Sequence, residues 1–137
     1  ENINAKYMFL GEKDFQQLYL IKKYKQKKFK TKIVPCKTVR NEFKLPFSSR
    51  NILLDYKSKK KSEKISKLLF KYKNQILDNF NNIQLIEFYR SKINMLCDKV
   101  EYLEIRNSTN LSKKYSKLNF KIFVAYKQKN VRLIDNI

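Results

Sequence analysis

The chain contains one glycine, Gly11, and its position dictates how the N-terminal part can fold. The short apolar run Lys6-Tyr7-Met8-Phe9-Leu10 stops at this residue and a helical pattern begins at once, so the segment reads as a strand, a turn and a helix. Asp14 stands where a helix cap belongs, and Gln17 follows three residues later as in a capping box. Phe15, Leu18, Tyr19 and Tyr24 recur on one helical face, with Leu20 and Ile21 at its margin, and the helix is expected to run to about Lys28. Lys32-Ile33-Val34-Pro35-Cys36 then reads as a second strand. A strand-helix-strand order of this length suits a parallel crossover.

Residues 37–51 lack periodicity and hold Pro46 and the polar run Ser48-Ser49-Arg50-Asn51, which predicts a loop. Asp55 or Ser58 is placed to cap a long amphipathic helix whose apolar stripe is Ile65, Leu68, Leu69, Tyr72, Ile76 and Leu77. An asparagine-rich break at residues 79–82 ends it. A further helix is expected over about 83–96, with Ile86, Tyr89, Ile93 and Leu96 turned inward. Residues 100–106 alternate with a period of two, and residues 120–125 and 131–134 supply two more strands, so the C-terminal part predicts a small antiparallel sheet with helices packed on it.

A length of 137 residues corresponds to about one domain, and a hydrophobic share of 42% is enough for a core. No uninterrupted apolar run of membrane-spanning length and no signal-peptide pattern is present, so no membrane partner is expected and a cytoplasmic location is. The first residue is Glu1 and a strand follows almost immediately, which predicts a chain that starts inside a larger protein. Histidine is absent and the two cysteines, Cys36 and Cys97, lie far apart, so zinc-finger spacing and a Cys-His nucleophilic pair are excluded and no metal ligand is assigned. Both cysteines read as buried, reduced thiols. The net charge of +20 would suit a phosphate polymer, but of 32 basic residues only Arg40, Arg50, Arg90, Arg106 and Arg132 are arginines. Lysines spread along the whole chain read as a solvated surface, and nucleic acid is not an expected partner.

Two segments carry candidate chemistry. Gly11-Glu12-Lys13-Asp14-Phe15-Gln16-Gln17-Leu18 joins the carboxyl end of a parallel strand to a helix, where open sheets bind ligands, and its lysine suits a phosphate. On spacing alone, Asp14 and Gln17 serve equally well as helix caps. In Ser48-Ser49-Arg50-Asn51 two hydroxyls and a guanidinium form a possible polyphosphate clamp, and a plain turn with a surface arginine fits as well. A right-handed crossover would bring both segments to one edge of the sheet.

Four runs in order, Gly11 to Leu18, Thr38-Val39-Arg40 with Ser48-Ser49-Arg50-Asn51, Val100 to Arg106 and Val131 to Asn136, resemble pantothenate synthetases across nearly the whole chain. The resemblance implies an α/β protein: the end of a doubly wound parallel nucleotide-binding domain at residues 1–51, then a small α+β lid domain with an antiparallel sheet at residues 52–137. It also implies ATP-dependent joining of pantoate to beta-alanine. The pantoate carboxylate attacks the alpha-phosphorus with loss of pyrophosphate, assisted by Mg2+, and the beta-alanine amine then displaces AMP from the pantoyl adenylate. By resemblance Gly11, Lys13 and Asp14 contact ATP, with Lys13 as the catalytic cation. Gln17 contacts pantoate, Val39 meets adenine through its backbone, and Ser48, Ser49 and Arg50 grip the phosphates. The full-length family implies a homodimer.

Two departures stand out. The family usually carries Asp-Gly-Leu-Ala where this chain has Phe43-Lys44-Leu45-Pro46, a change that bears on loop closure. The family's His-Ile-Gly-His motif and its other pantoate contact lie upstream of the matching region, so these residues alone are expected not to complete the reaction. Without that half, the strands at residues 6–10 and 32–36 would lack parallel neighbours and invite self-association.

Overall fold

The computed structural model describes residues 5–25, 30–78 and 83–137. The chain divides into two compact units, Glu1–Thr38 and Val39–Ile137. In the first, strand β1 (Tyr7–Gly11) is followed by a 3-10 turn at Glu12–Asp14, helix α1 (Phe15–Lys25) and strand β2 (Lys32–Cys36). β1 and β2 pair in parallel, from Tyr7 opposite Lys32 to Gly11 opposite Cys36, which is the expected crossover unit. Leu18 is buried on α1, whereas Tyr24 and Leu20 are exposed. Tyr7, Met8 and Phe9 on β1 are exposed as well, Phe9 by 68%. Residues 26–28, where α1 was expected to continue, lie outside the described residues.

Two expectations are corrected here. The helical turn begins at Glu12, so its N-cap is Gly11, which has no side chain, and Asp14 lies inside the turn instead of capping α1. Cys36 is exposed at the end of β2 and only Cys97 is half-buried; both are free thiols. Strand β2 is too short and too uncovered to bury its last residue.

The second unit contains a 3-10 turn at Ser49–Leu53, then helices α2 (Tyr56–Asp78) and α3 (Ile83–Asn94) and strands β3 (Lys99–Asn107), β4 (Phe120–Gln128) and β5 (Val131–Asn136). The strands form an antiparallel sheet in the order β3-β4-β5. Residues 39–51, expected to close the first domain, pack with this unit. The helical stripe of α2 behaves as its period predicts: Ile65, Leu69, Tyr72 and Ile76 are buried against the core, Leu68 is partly covered, and Leu77 at the end is exposed. Tyr89 of α3 stacks on Tyr72 at 4.6 Å between ring centroids and donates its hydroxyl to Gln75 at 2.7 Å. Ile93 and the β4 residues Ile122, Val124 and Tyr126 complete the same cluster. The expected break at residues 79–82 lies outside the described residues.

A second stripe on α2 is made of small hydroxyl residues. Ser58, Ser62 and Ser66 are four residues apart, hence one above another on a helix face, and all are buried. Their small side chains let α2 lie close to β4, against which it packs. Burial of this kind has no hydrophobic signature in the sequence.

Asp55 is the cap that starts α2. Its Oδ1 accepts the Ser58 N–H at 2.7 Å, and its other oxygen pairs with the Lys129 ammonium from the β4–β5 turn. The Lys129 hydrogen bond, helped by the Ser58 N–H, holds the Asp55 carboxyl well below the usual carboxylate range. Folding therefore favours the charged form. The resulting stability is present above the unfolded carboxylate value of about 4 and is lost as pH falls through the depressed folded value. In Asp55→Asn the cap survives and the titration does not. Urea midpoints measured from about pH 5 down to about pH 2 should fall less steeply for this variant than for the wild type, and parallel curves would remove Asp55 from the acid response.

Candidate functional site

In the first unit the predicted residues gather at the carboxyl end of β1. Gly11 has φ −68° and ψ 133°, ordinary extended backbone that any residue adopts. A Cβ built there meets no heavy atom within 4 Å. Neither backbone strain nor crowding explains the glycine, and what its missing side chain leaves is open surface beside Lys13. The Lys13 ammonium lies 3.8 Å from the Asp14 carboxylate, with side chains 20% and 52% exposed. The exposed Gln17 side chain has no hydrogen-bond partner among the described residues. Helix capping thus occupies neither Asp14 nor Gln17, and both remain presented to solvent.

In the second unit the loop begins with a fixed arginine. Arg40 grips Asp135 through both guanidinium nitrogens, each at 2.7 Å, and also donates to the carbonyls of Lys44 at 2.8 Å and Asn136 at 3.0 Å. The side chains are only 14% and 3% exposed, and the guanidinium lies over the Phe70 ring. Next to it, Asn41 donates to the buried Glu63 of α2 and accepts from the N–H groups of Phe43 and Leu45. Lys44, standing where the resembling family has glycine, takes the left-handed conformation at φ 70°. This side-chain-to-backbone lattice holds a strained residue that glycine would occupy freely.

The tip of the loop is equally tied. Ser48 Oγ accepts the Arg50 N–H at 3.3 Å and Asn51 donates to the Pro46 carbonyl at 2.9 Å. Val39 is exposed, and its carbonyl accepts the Phe47 N–H at 3.0 Å. Together they shape an open cleft of about 660 Å³, with Leu45 and Phe47 in its apolar lining and Asn41, Ser48, Ser49 and Lys59 in its polar lining. That size falls in the range of roughly 300–1,000 Å³ common to small-molecule sites. Arg50 keeps one nitrogen on the sheet: its Nη1 donates to the Arg132 carbonyl on β5 at 2.9 Å.

The predicted residues are thus brought together in two sets, Gly11, Lys13, Asp14 and Gln17 in one unit and Val39, Ser48, Ser49 and Arg50 in the other. Sequence reasoning missed Lys59, hidden among the lysines at the start of α2, and Asn41, which carries the loop. Only the asparagine had a readable signal, since Asx side chains commonly organise turns. Among the described residues no group of His, Cys, Asp or Glu is arranged to hold a metal ion. Nor is any described helix long and apolar enough to cross a membrane.

Comparison with known proteins gives the fold a lineage. The profile of a family described as pantoate-beta-alanine ligase matches residues 1–137. A pantothenate synthetase of Francisella tularensis subsp. mediasiatica (strain FSC147) is 37% identical over 94% of this chain and 42% of its own length. A crystal structure of pantoate-beta-alanine ligase from Francisella tularensis, complexed with beta-gamma ATP and beta-alanine, superposes with a TM-score of 0.72 at 35% identity, over 96% of this chain and 43% of that one. The pantothenate synthetase of Thermus thermophilus shares the fold at a TM-score of 0.85, with 24% identity, over 96% and 49% respectively. The chain spans about half the length, or less, of the curated relatives it matches.

The Arg40–Asp135 pair supports the cleft, and its removal tests that support. Arg40→Ala takes the guanidinium from the Asp135 carboxylate, whose side chain is 3% exposed and which then keeps the Asn136 N–H, and should cost roughly 3–5 kcal/mol in urea unfolding followed by circular dichroism. Arg40→Lys, which cannot reproduce the two-pronged contact, should fall between. A cost below about 1 kcal/mol would show that the pair is not what holds the loop.

Proposed function

This chain belongs to the pantoate-beta-alanine ligase family, and on that premise we propose that it is the nucleotide-handling C-terminal half of an enzyme that uses ATP to condense pantoate with beta-alanine. The observation that carries this reading is that the family likeness runs through residues 1–137. It takes in the Gly11 turn, where the Gln17 side chain is exposed, and the serine-lined cleft. The relative crystallised with beta-gamma ATP and beta-alanine supports the choice of substrates.

The residues divide the reaction as follows. Gly11 leaves room for the nucleotide at the strand end, and Asp14 contacts it alongside. Lys13 lies where its ammonium neutralises charge that develops on the alpha-phosphoryl oxygens as the pantoate carboxylate attacks and pyrophosphate departs. The Gln17 amide both donates to the pantoate carboxylate and accepts from a hydroxyl. Val39 offers backbone to adenine, and Ser48, Ser49 and Arg50 hold the phosphate chain. The amine of beta-alanine then attacks the acyl carbon of the pantoyl adenylate, and AMP leaves.

Magnesium, which assists the first step in the family, usually rides on nucleotide phosphates with few protein ligands. The described residues offer it no cluster of His, Cys, Asp or Glu ligands. The whole enzyme works in the cytoplasm as a homodimer, with an upstream half supplying the histidines and the remaining pantoate contact.

Joined to an upstream half bearing a His-Ile-Gly-His motif, the chain should form pantothenate and release AMP. Lys13→Ala in that protein should lower kcat by about 10²–10³, and a variant as fast as wild type removes Lys13 from the chemistry. Gly11→Ala separates site from fold. Its unfolding free energy should stay within about 1 kcal/mol of wild type, because the backbone is extended and uncrowded, while the KM for ATP rises. An unchanged KM would take the nucleotide away from this turn.

A further inference from the structure

The cleft of the second unit presents a cation that the resemblance does not assign. Its lining includes Ser48, Ser49 and Lys59, the last from the first turn of α2. The neighbouring cations are engaged elsewhere. Lys60 pairs with Glu63 at 3.1 Å and lies over the Phe43 ring, while Lys129 is held by Asp55. Arg50 has a nitrogen committed to the Arg132 carbonyl. Lys59 is exposed, and among the described residues its ammonium makes no hydrogen bond or ion pair. The Ser48 hydroxyl accepts from the Arg50 N–H and so keeps its own proton to donate. Two hydroxyl donors and one unpaired ammonium from residues lining a single cleft match a chain of phosphates, which offers several anionic oxygens in a row.

We propose that Lys59 is a further phosphate-binding residue of this cleft, which neutralises the polyphosphate of a nucleoside triphosphate beside the Ser48 and Ser49 hydroxyls, while Arg50 ties the lip of the cleft to β5. This rests on the reading of the chain as a nucleotide-handling half, and adds to it the residue that supplies charge to the cleft. The geometry also explains why one lysine of the crowded segment at residues 57–64 is singled out: it is the one that lines the cleft.

The test is isothermal titration of the 137-residue chain with ATP and, separately, with inorganic tripolyphosphate. Lys59→Gln should weaken both by about tenfold, and Lys59→Arg should retain most of the affinity. Lys57→Gln, at an exposed position away from the cleft wall, should bind as wild type does. If Lys59→Gln binds both probes as tightly as wild type, the assignment of Lys59 fails and the nucleotide reading stands. Equal losses in Lys57→Gln and Lys59→Gln would mean unspecific attraction to a basic surface and would also overturn it. Wild type that binds tripolyphosphate as well as ATP keeps Lys59 and removes adenine recognition from this chain. Wild type that binds neither sinks both.

Discussion

The ion pair between Arg40 and Asp135 is the constraint on which the second unit's site depends. It joins the first residues of a long irregular segment to the last strand of the sheet, with both partners largely out of water. A buried carboxylate of this kind is tolerated only while its partner stays in place. Because Arg40 also donates to the Lys44 and Asn136 carbonyls, one guanidinium fixes a turn and a strand end together. The cleft walls inherit that order. Asn41 carries it on to Glu63 of α2, so the helix that brings Lys59 is connected to the same loop through side chains alone.

Much of this architecture was legible because periodicity reports burial. The stripe of Ile65, Leu69, Tyr72 and Ile76 is a consequence of helical geometry and matches the packing, whereas the period of two read over residues 100–106 is not kept in β3, whose register shifts between Val100 and Tyr102 and whose buried residues are Val100, Leu103 and Asn107. The parallel pairing of β1 with β2 followed from a helix standing between two short apolar runs. What sequence could not convey was carried by residues whose role depends on distant partners. Arg40 and Asp135 are 95 positions apart, and nothing local marks them as a pair. The buried serines of α2 read as polar surface, and Cys36 read as core because an apolar run precedes it. At Asp14 the local pattern of a capping box was correct in spacing but lost to a helix that starts one turn of chain earlier, at Glu12.

The two units also differ in how far they satisfy themselves. A pair of five-residue parallel strands cannot enclose a core, and such sheets are ordinarily covered on both faces. Tyr7, Met8 and Phe9 are accordingly exposed, while the antiparallel sheet and its helices bury, among the described residues, fourteen hydrophobic side chains in a single cluster. The residues proposed for the chemical step therefore sit on the less self-sufficient unit, and those proposed to hold the phosphates on the better packed one. Gripping a flexible anionic chain calls for donors fixed in advance. The loop at residues 39–51 meets that need through its hydrogen bonds to the sheet and to α2.

The turn at Phe43-Lys44-Leu45-Pro46 shows how a loop is held in a conformation that its own residues disfavour. Replacing glycine by lysine would ordinarily move the backbone out of the left-handed region, at a cost of roughly 1–2 kcal/mol if it stays. Lys44 stays, at φ 70°. Its carbonyl is held by Arg40, its neighbours' N–H groups by Asn41, and Leu45 beyond it is 4% exposed. Each of these contacts would be lost if the turn relaxed, and together they outweigh the strain at one residue. The lysine side chain also gains a ring, since its ammonium lies 5.7 Å from the centroid of Phe70, the same ring that Arg40 covers. The conformation of this turn is therefore a property of the lattice around it rather than of the residue at its apex.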